Sequence, residues 1–412
     1  MSTFAKSSKS MAAGASDWLS IAVVYVITFL SMASVTCVVP LLGDIQSYSG
    51  ATPTALGFSL ALFSAPSAIL ATFGGGAIDR FGARPSLIVS ALVALLADPV
   101  AYLMPGALGL NVAMVLAGLG FAGISIAAPA LIMTTVQGTK CVRAMSVWST
   151  YPCAGYAVGL ITGGQLAGTD NWRLTFVAHG VMLVLALLCT PFIAKPTIKG
   201  LEAKTTEPSL WSAVRNVKVL RLAIGAGLVA AVAYGTGLVA TDALTRLHAI
   251  PISRATAILA AANVLSVVGG IAAGILMTRR VPTAYLFMGI VGLCIAAQFL
   301  LFQPAMPLGL ALFALAGWMG LKGMAIAISM ALLPQVVSER VGSGAAAGIV
   351  GQVISLMAFA VPPIYFAALE RQGWNEYIIY ACVGLLVSLL VLPLWRRPSM
   401  PSAHSALGAG LE

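Results

Sequence analysis

The chain has 412 residues, of which 60% are hydrophobic and 8% charged, with a mean hydropathy of +1.00 and a formal net charge of +10. A soluble domain carries about 25% charged residues, so this composition excludes a soluble globule and points to an integral, multi-pass membrane protein. The basic excess falls in short loops between apolar stretches, where membrane orientation accounts for it, and no nucleic-acid partner is expected.

Residues 1–17 are small and polar, basic at Lys6 and Lys9, and lack a cleavage site behind a short apolar core; they read as a cytoplasmic tail and not as a signal peptide. Apolar spans of helical length follow near 18–42, 54–76, 86–105, 108–133, 144–168, 173–193, 222–243, 255–277, 283–302, 307–333, 343–368 and 377–395. They predict an all-α protein with twelve transmembrane helices and both termini on one side. The longest polar stretch, around 195–221, separates a six-helix unit at 18–194 from a second at 222–395, and residues 396–412 form a cytoplasmic tail. Within that stretch, Trp211 to Val219 is either a short amphipathic surface helix or solvated linker.

Charge tests this topology. With the termini and every second loop placed in the cytoplasm, seventeen of the 22 Lys and Arg residues lie inside, four (Arg173, Arg246, Arg254, Arg371) lie outside, and Lys322 lies within a span. One omitted helix would flip every later loop and destroy the asymmetry, so the spans predict a bacterial-type inner membrane protein with cytoplasmic termini. Five of the six cysteines fall inside spans and only Cys141 in a loop, which leaves neither a disulfide framework nor a Cys-x-x-Cys metal site. No metal or cofactor is expected.

The loop between the second and third spans reads Gly75-Gly-Ala-Ile-Asp79-Arg80-Phe-Gly82-Ala-Arg84-Pro, and its glycines permit a tight reversal between two helix ends. It is echoed after the eighth span by Gly274-x-x-x-Thr278-Arg279-Arg280, at an offset of about 200 residues. Trp172-Arg173 before the sixth span is echoed by Trp374-Asn375 before the twelfth, and Leu116-Ala117-Gly118 by Leu315-Ala316-Gly317. The fifth span carries Gly155, Gly159, Gly163 and Gly164, whose spacing lets two helix backbones touch.

In the spacing of Gly75, Asp79, Arg80, Gly82 and Arg84, in the doubled halves and in the glycine-rich fifth span, the chain resembles the major facilitator superfamily. The resemblance implies two six-helix bundles around a central solute site, with the basic loops, including Arg279 and Arg280, as a cytoplasmic gate. It also implies a secondary transporter working by alternating access as a monomer, its partners being a small solute, membrane lipid and a coupling ion, with the proton as first candidate. Two positions depart from the pattern. Leu160 stands where the antiporter motif has Pro, and Met114 where many proton-coupled members have Arg, so a proton would need another titrating group.

Only Asp98 and Lys322 are ionisable acids or bases placed well inside spans, where a charge costs about 2.5–3.5 kcal/mol. Lys322 lies about 15 residues into the tenth span, roughly 22 Å from its outer end, with Trp318 one turn earlier and Ser329 about two turns later. In the superfamily this helix lines the cavity, so Lys322 and Trp318 are candidates for binding an organic anion such as a carboxylate. A lysine paired to an acid or reaching for the membrane edge is the competing explanation. Asp98, followed by Pro99, is a proton-coupling candidate or a structural hydrogen-bonding group, and a direct pair with Lys322 is not expected.

Tyr25, Thr28, Tyr156, Tyr234, Asn263 and Gln352 are further polar mid-span candidates for the solute site, each with helix-to-helix bonding as its alternative. Asp242 and Arg246 read as a surface ion pair, and His179 as a structural group near a membrane edge. No P-loop, His-Glu-x-x-His or Gly-x-Ser-x-Gly is present, which argues against ATP-driven pumping and an intramembrane enzyme. The remaining functional alternatives are a drug or metabolite efflux antiporter and a non-transporting membrane sensor.

Overall fold

A computed structural model describes residues 2–70, 81–136, 144, 147, 148, 150–194, 215–279, 281–333, 343–371 and 373–394. The helices in chain order are α1 (Ser2–Thr36), α2 (Leu42–Ser49), α3 (Pro53–Ala61), α4 (Ala83–Leu95), α5 (Ala97–Leu103), α6 (Ala107–Thr135) and α7 (Tyr151–Leu166). They continue as α8 (Leu174–Leu188), α9 (Val217–His248), α10 (Ile252–Thr278), α11 (Thr283–Phe302), α12 (Leu308–Ala331), α13 (Ser343–Arg371) and α14 (Trp374–Val391). Among the described residues, ten stretches are long and apolar enough to cross a membrane, and the protein is an all-α, multi-pass membrane protein. Large apolar side chains stay on its outside, as at Leu103, Phe313 and Leu390, each over 70% exposed to what must be lipid and not water.

Several boundaries differ from the expected spans. Helix α1 already begins at Ser2, inside the segment read as a tail, and α9 begins at Val217, so Val217 to Val219 form its first turn and not part of a separate surface helix. The span beginning at residue 54 is interrupted by a turn at 62–64 before helix resumes at 65–70. The span at 86–105 breaks at Leu96, because Pro99 in α5 has no N–H to offer the carbonyl of Leu95 at the end of α4.

Small residues set the closest helix contacts. On α7, a Cβ added at Gly159 would lie 2.0 Å from Thr36 Oγ1, and one at Gly163 2.2 Å from the carbonyl oxygen of Cys37, so this face rides on the backbone of α1. Gly164 instead faces α10, where an added Cβ would meet Thr256 Oγ1 at 2.0 Å. On α3, Gly57 fits against the Phe366 ring and the Pro362 carbonyl of α13, and the Thr54 hydroxyl donates to Glu370 at the end of that helix.

Helix α9 ends with Ala249 at φ +53°, its N–H bonded to the Leu244 carbonyl. A Cβ in the left-handed region costs about 1 kcal/mol. Ala249→Gly should therefore raise the thermal stability of the purified protein by about 0.5–1 kcal/mol, and an unchanged or lower melting temperature would show that the turn is not strained.

Candidate functional site

A cavity of about 510 Å³ opens between the helices of the two halves of the chain. Its first-half wall comes from Met32 of α1, Phe63, Ser64 and Ser67 after α3, Phe121 and Ser125 of α6, and Tyr151, Cys153 and Tyr156 of α7. Tyr234 of α9, Asn263 and Ser266 of α10, Lys322 and Ile326 of α12, and Ile354 and Ser355 of α13 face it from the second half.

Lys322 is the one charged side chain among these lining residues. Its Nζ donates to Asn263 Oδ1 at 3.3 Å and stands 5.5 Å from the centre of the Tyr156 ring. The Asn263 amide nitrogen in turn donates to the Cys153 carbonyl at 3.0 Å, and the Tyr156 hydroxyl to the Gly237 carbonyl at 2.6 Å. The ammonium is thus held by neutral groups, and no carboxylate pairs with it among the described residues. A charge in this environment keeps strong unsatisfied attraction for an anion, since the surrounding dipoles only partly replace water. Two buried hydroxyls of the lining, Tyr234 Oη and Ser67 Oγ, have no hydrogen-bond partner among the described residues.

Two tight contacts hold Lys322 beside Asn263. A Cβ added at Gly269 of α10 would lie 1.9 Å from the carbonyl oxygen of Gly320, and one at Gly323 of α12 would lie 2.0 Å from that of Ser266. Helices α10 and α12 therefore touch through backbone, on the turns that carry Asn263 and Lys322.

Of the expected site residues, Lys322, Tyr156, Tyr234 and Asn263 come together at this cavity, and four others do not line it. Trp318 is 1% exposed and packed in the protein core: it shares a side of α12 with Lys322 but lies one turn along it, where neighbouring helices cover the indole. Thr28 bonds the Val24 carbonyl of its own helix and accepts from Trp148 Nε1. Tyr25 shares a hydrogen bond of 2.9 Å with Thr150, and the Gln352 side-chain nitrogen donates to the Ala68 carbonyl. These three are engaged between helices. Sequence reasoning missed Phe63, Phe121, Tyr151, Cys153 and Ser67, and for the apolar ones no signal existed, since cavity-facing and lipid-facing aromatics look alike in a membrane span.

Asp98 lies outside the cavity, 6% exposed, with both carboxylate oxygens within 3.0 Å of His179 Nδ1. His179 is fully buried: α8 turns it inward to reach α5 and α1 together, and its bonds to both fit the structural role expected of it. Its Nε2 must donate to the Leu30 carbonyl at 2.9 Å, so one further proton is shared between Nδ1 and the carboxylate. Whichever atom carries that proton, the pair is neutral overall, and this is how the bilayer tolerates the acid. Asp98→Asn offers an amide N–H to Nδ1, which accepts while Nε2 keeps its proton for Leu30, so the pair stays neutral; the change should cost only about 1 kcal/mol in thermal unfolding while leaving solute affinity unchanged. A collapse of solute binding would instead place this pair in the binding machinery.

Of the expected gate, Gly75, Asp79, Arg80 and Arg280 lie outside the described residues. Gly82 has φ +87° just before α4, a conformation suited to glycine, and Arg84 Nη2 donates to the Thr190 carbonyl at 3.1 Å, tying the start of α4 to the end of α8. Arg279 closes the carboxyl end of α10. The Asp242–Arg246 pair forms as expected, at 2.7 Å, and faces a second cavity of about 450 Å³ shared with Glu370.

Residues 24–362 match the sequence profile of the Major Facilitator Superfamily. A stretch of 188 residues is 27% identical to the hexuronate transporter of Bacillus subtilis (strain 168), covering 45% of this chain and 44% of that protein. Another of 158 residues is 23% identical to the inner membrane transport protein YnfM of Escherichia coli (strain K12), covering 38% of each. Multidrug resistance protein 2 of Bacillus subtilis (strain 168) is 25% identical over 172 residues, or 42% of each chain. The matches span less than half the length of each of these relatives. Among solved structures, the nucleoside transporter NupG superposes with a TM-score of 0.74 at 11% identity, covering 92% of this chain and 100% of that one. A bacterial homologue of the human lysosomal transporter Spinster, inward-facing and unoccupied, gives 0.71 at 17% identity, covering 92% and 95%. At these identities the likeness is one of fold.

Proposed function

The chain belongs to the major facilitator superfamily, and from that premise we propose that it is a secondary transporter that carries a small organic anion across the membrane by alternating access. Residues 18–194 and 222–395 act as two six-helix bundles, with cytoplasmic termini, in a bacterial inner membrane. The solute's negative group, a carboxylate, meets Lys322, with Asn263, Tyr156 and Tyr234 around it. Support comes from a single observation: a lysine ammonium faces a cavity between the two halves with no carboxylate partner among the described residues. An unpaired charge in a membrane protein is costly enough to need a use.

The rocking movement would break the contacts that now join the halves, among them Asn263 to the Cys153 carbonyl and Tyr156 to the Gly237 carbonyl. The loops at Gly75 to Arg84 and at Arg279–Arg280 are the corresponding cytoplasmic gate. Transport is coupled to a proton or another ion, or proceeds by exchange. Asp98 enters the coupling only through the proton it shares with His179, and full pH-driven accumulation by Asp98→Asn would remove it.

A second reading, efflux of an amphipathic compound, is favoured by the aromatic cavity wall of Phe63, Phe121 and Tyr151. It predicts resistance on overexpression and no growth defect on a carbon source. Counterflow in proteoliposomes tests transport itself. Vesicles loaded with unlabelled benzoate, phenylacetate or glucuronate should transiently concentrate the matching radiolabelled carboxylate in at least one case. Saturable binding with no counterflow would make the protein a sensor.

A further inference from the structure

Resting on the anion reading, the chemistry of the cavity walls narrows the solute. Among the described residues that line the cavity Lys322 is the only cation, and no second basic group of these stands ready for a second negative charge. A dianion would leave one carboxylate buried without a counter-charge, which is unfavourable in a largely apolar space.

Some polar groups of the lining are already in use. Ser125 Oγ donates to the Ala122 carbonyl, Ser266 Oγ to the Met319 carbonyl, Tyr156 Oη to the Gly237 carbonyl, and both ends of the Asn263 amide are engaged. Among the described residues, the lining hydroxyls of Tyr234 and Ser67 are buried without a hydrogen-bond partner, and those of Ser64, Tyr151 and Ser355 make no hydrogen bond either. A solute with a hydroxyl on nearly every carbon would still turn some of them to the apolar and aromatic part of the wall, and each one left over there carries a desolvation cost.

The opposite wall is aromatic. The Phe63 and Phe121 rings lie 5.2 Å apart, and Phe121 and Tyr151 6.1 Å apart, so three rings run in sequence along the first-half side. Ring spacings of this size are those at which aromatic groups attract one another, and an inserted ring gains the same contacts. The volume of about 510 Å³ suits a solute with a ring and a short arm.

We infer that the transported solute is an amphipathic monoanion: one carboxylate, anchored at Lys322, on an apolar ring-bearing body that lies against Phe63, Phe121 and Tyr151. Sugar acids and dicarboxylates are poor ligands. Phe121 is then a specificity-determining residue, carried by the first half of the chain while the charge is carried by the second.

Calorimetric titration of the purified full-length protein with four probes tests this: phenylacetate, its neutral amide, the dianion homophthalate, and glucuronate. Phenylacetate should bind about tenfold or more tighter than each of the other three. Phe121→Leu keeps most of the volume, and should weaken phenylacetate by about 2- to 10-fold while leaving acetate unchanged, with thermal unfolding confirming a folded variant. Equal binding of the amide and the acid would sink the anion reading itself. Preference for the acid over the amide, with glucuronate or homophthalate binding as tightly as phenylacetate, would overturn only the inference about the body. Failure of phenylacetate to bind while glucuronate binds would do the same.

Discussion

Replacing Lys322 by Gln is expected to weaken the binding of a carboxylate solute by about 30- to 150-fold, equivalent to about 2–3 kcal/mol, the range lost when one partner of a desolvated charge pair is removed. The glutamine is one bond shorter but uncharged and still an N–H donor, and the contact between α12 and α10 is made through backbone at Gly269 and Gly323, so the crossing persists while the charge is lost. Affinity for the neutral amide of the same solute should not fall, which separates lost attraction from a distorted cavity. Because among the described residues the ammonium is held by Asn263 and the Tyr156 ring and by no carboxylate, its removal strands no negative charge there, and the empty protein should not lose stability. A variant that binds and transports carboxylates as the parent does would exclude Lys322 as their anchor.

The second large effect belongs to a residue with no side chain. In Gly323→Ala the new methyl would sit 2.0 Å from the Ser266 carbonyl oxygen and 2.7 Å from its carbon, and these are backbone atoms that cannot swing aside. Helix α12 must move off α10, at a cost of about 1–3 kcal/mol of stability, as for other overpacked contacts. Lys322 is the neighbouring residue and Asn263 is one turn before Ser266, so a shift of a few tenths of an ångström lengthens a hydrogen bond already at 3.3 Å. Solute affinity should fall together with melting temperature. Gly317→Ala on the same helix is the control, because nothing lies within 4 Å of an added Cβ there. That change should leave affinity alone and stabilise the helix by up to about 1 kcal/mol. Equal behaviour of the two variants would show that the crossing does not govern the site.

The helical character of the chain and most of its span positions were legible because a bilayer admits few solutions. Each crossing needs about 20 apolar residues, and the loops between them must carry the charge. The glycines of α7 were legible as a packing face for the same reason, since a repeat of small residues has little other use there. The exposed Asp242–Arg246 pair was readable from its spacing of four on one helix.

The partners of Asp98 were not readable in this way. His179 is 81 residues away, and only the meeting of α5, α8 and α1 brings its ring between a carboxylate and the Leu30 carbonyl. Trp318 shows the converse error: a spacing of four suggested a shared face with Lys322, yet the indole is packed in the core while the ammonium faces the cavity. A helical wheel gives angular neighbours, but whether the boundary of a cavity falls between them depends on the neighbouring helices. For Phe63, Phe121 and Tyr151 the composition carries no information, since lipid, core and cavity wall all accept an aromatic ring.

Sequence alone therefore determined that this protein lives in a membrane, that it is built of helices, and that one lysine is placed where a cation is costly. Hydropathy and charge act residue by residue against a fixed solvent, so they need no partner to be read. Tertiary structure decided what surrounds that lysine: Asn263 and Tyr156 beside it, no carboxylate among the described residues, and three rings across the cavity. Those relations depend on where separate helices cross, and the crossings are set by backbone contacts such as Gly323 on Ser266, which become visible only once both helices are in place.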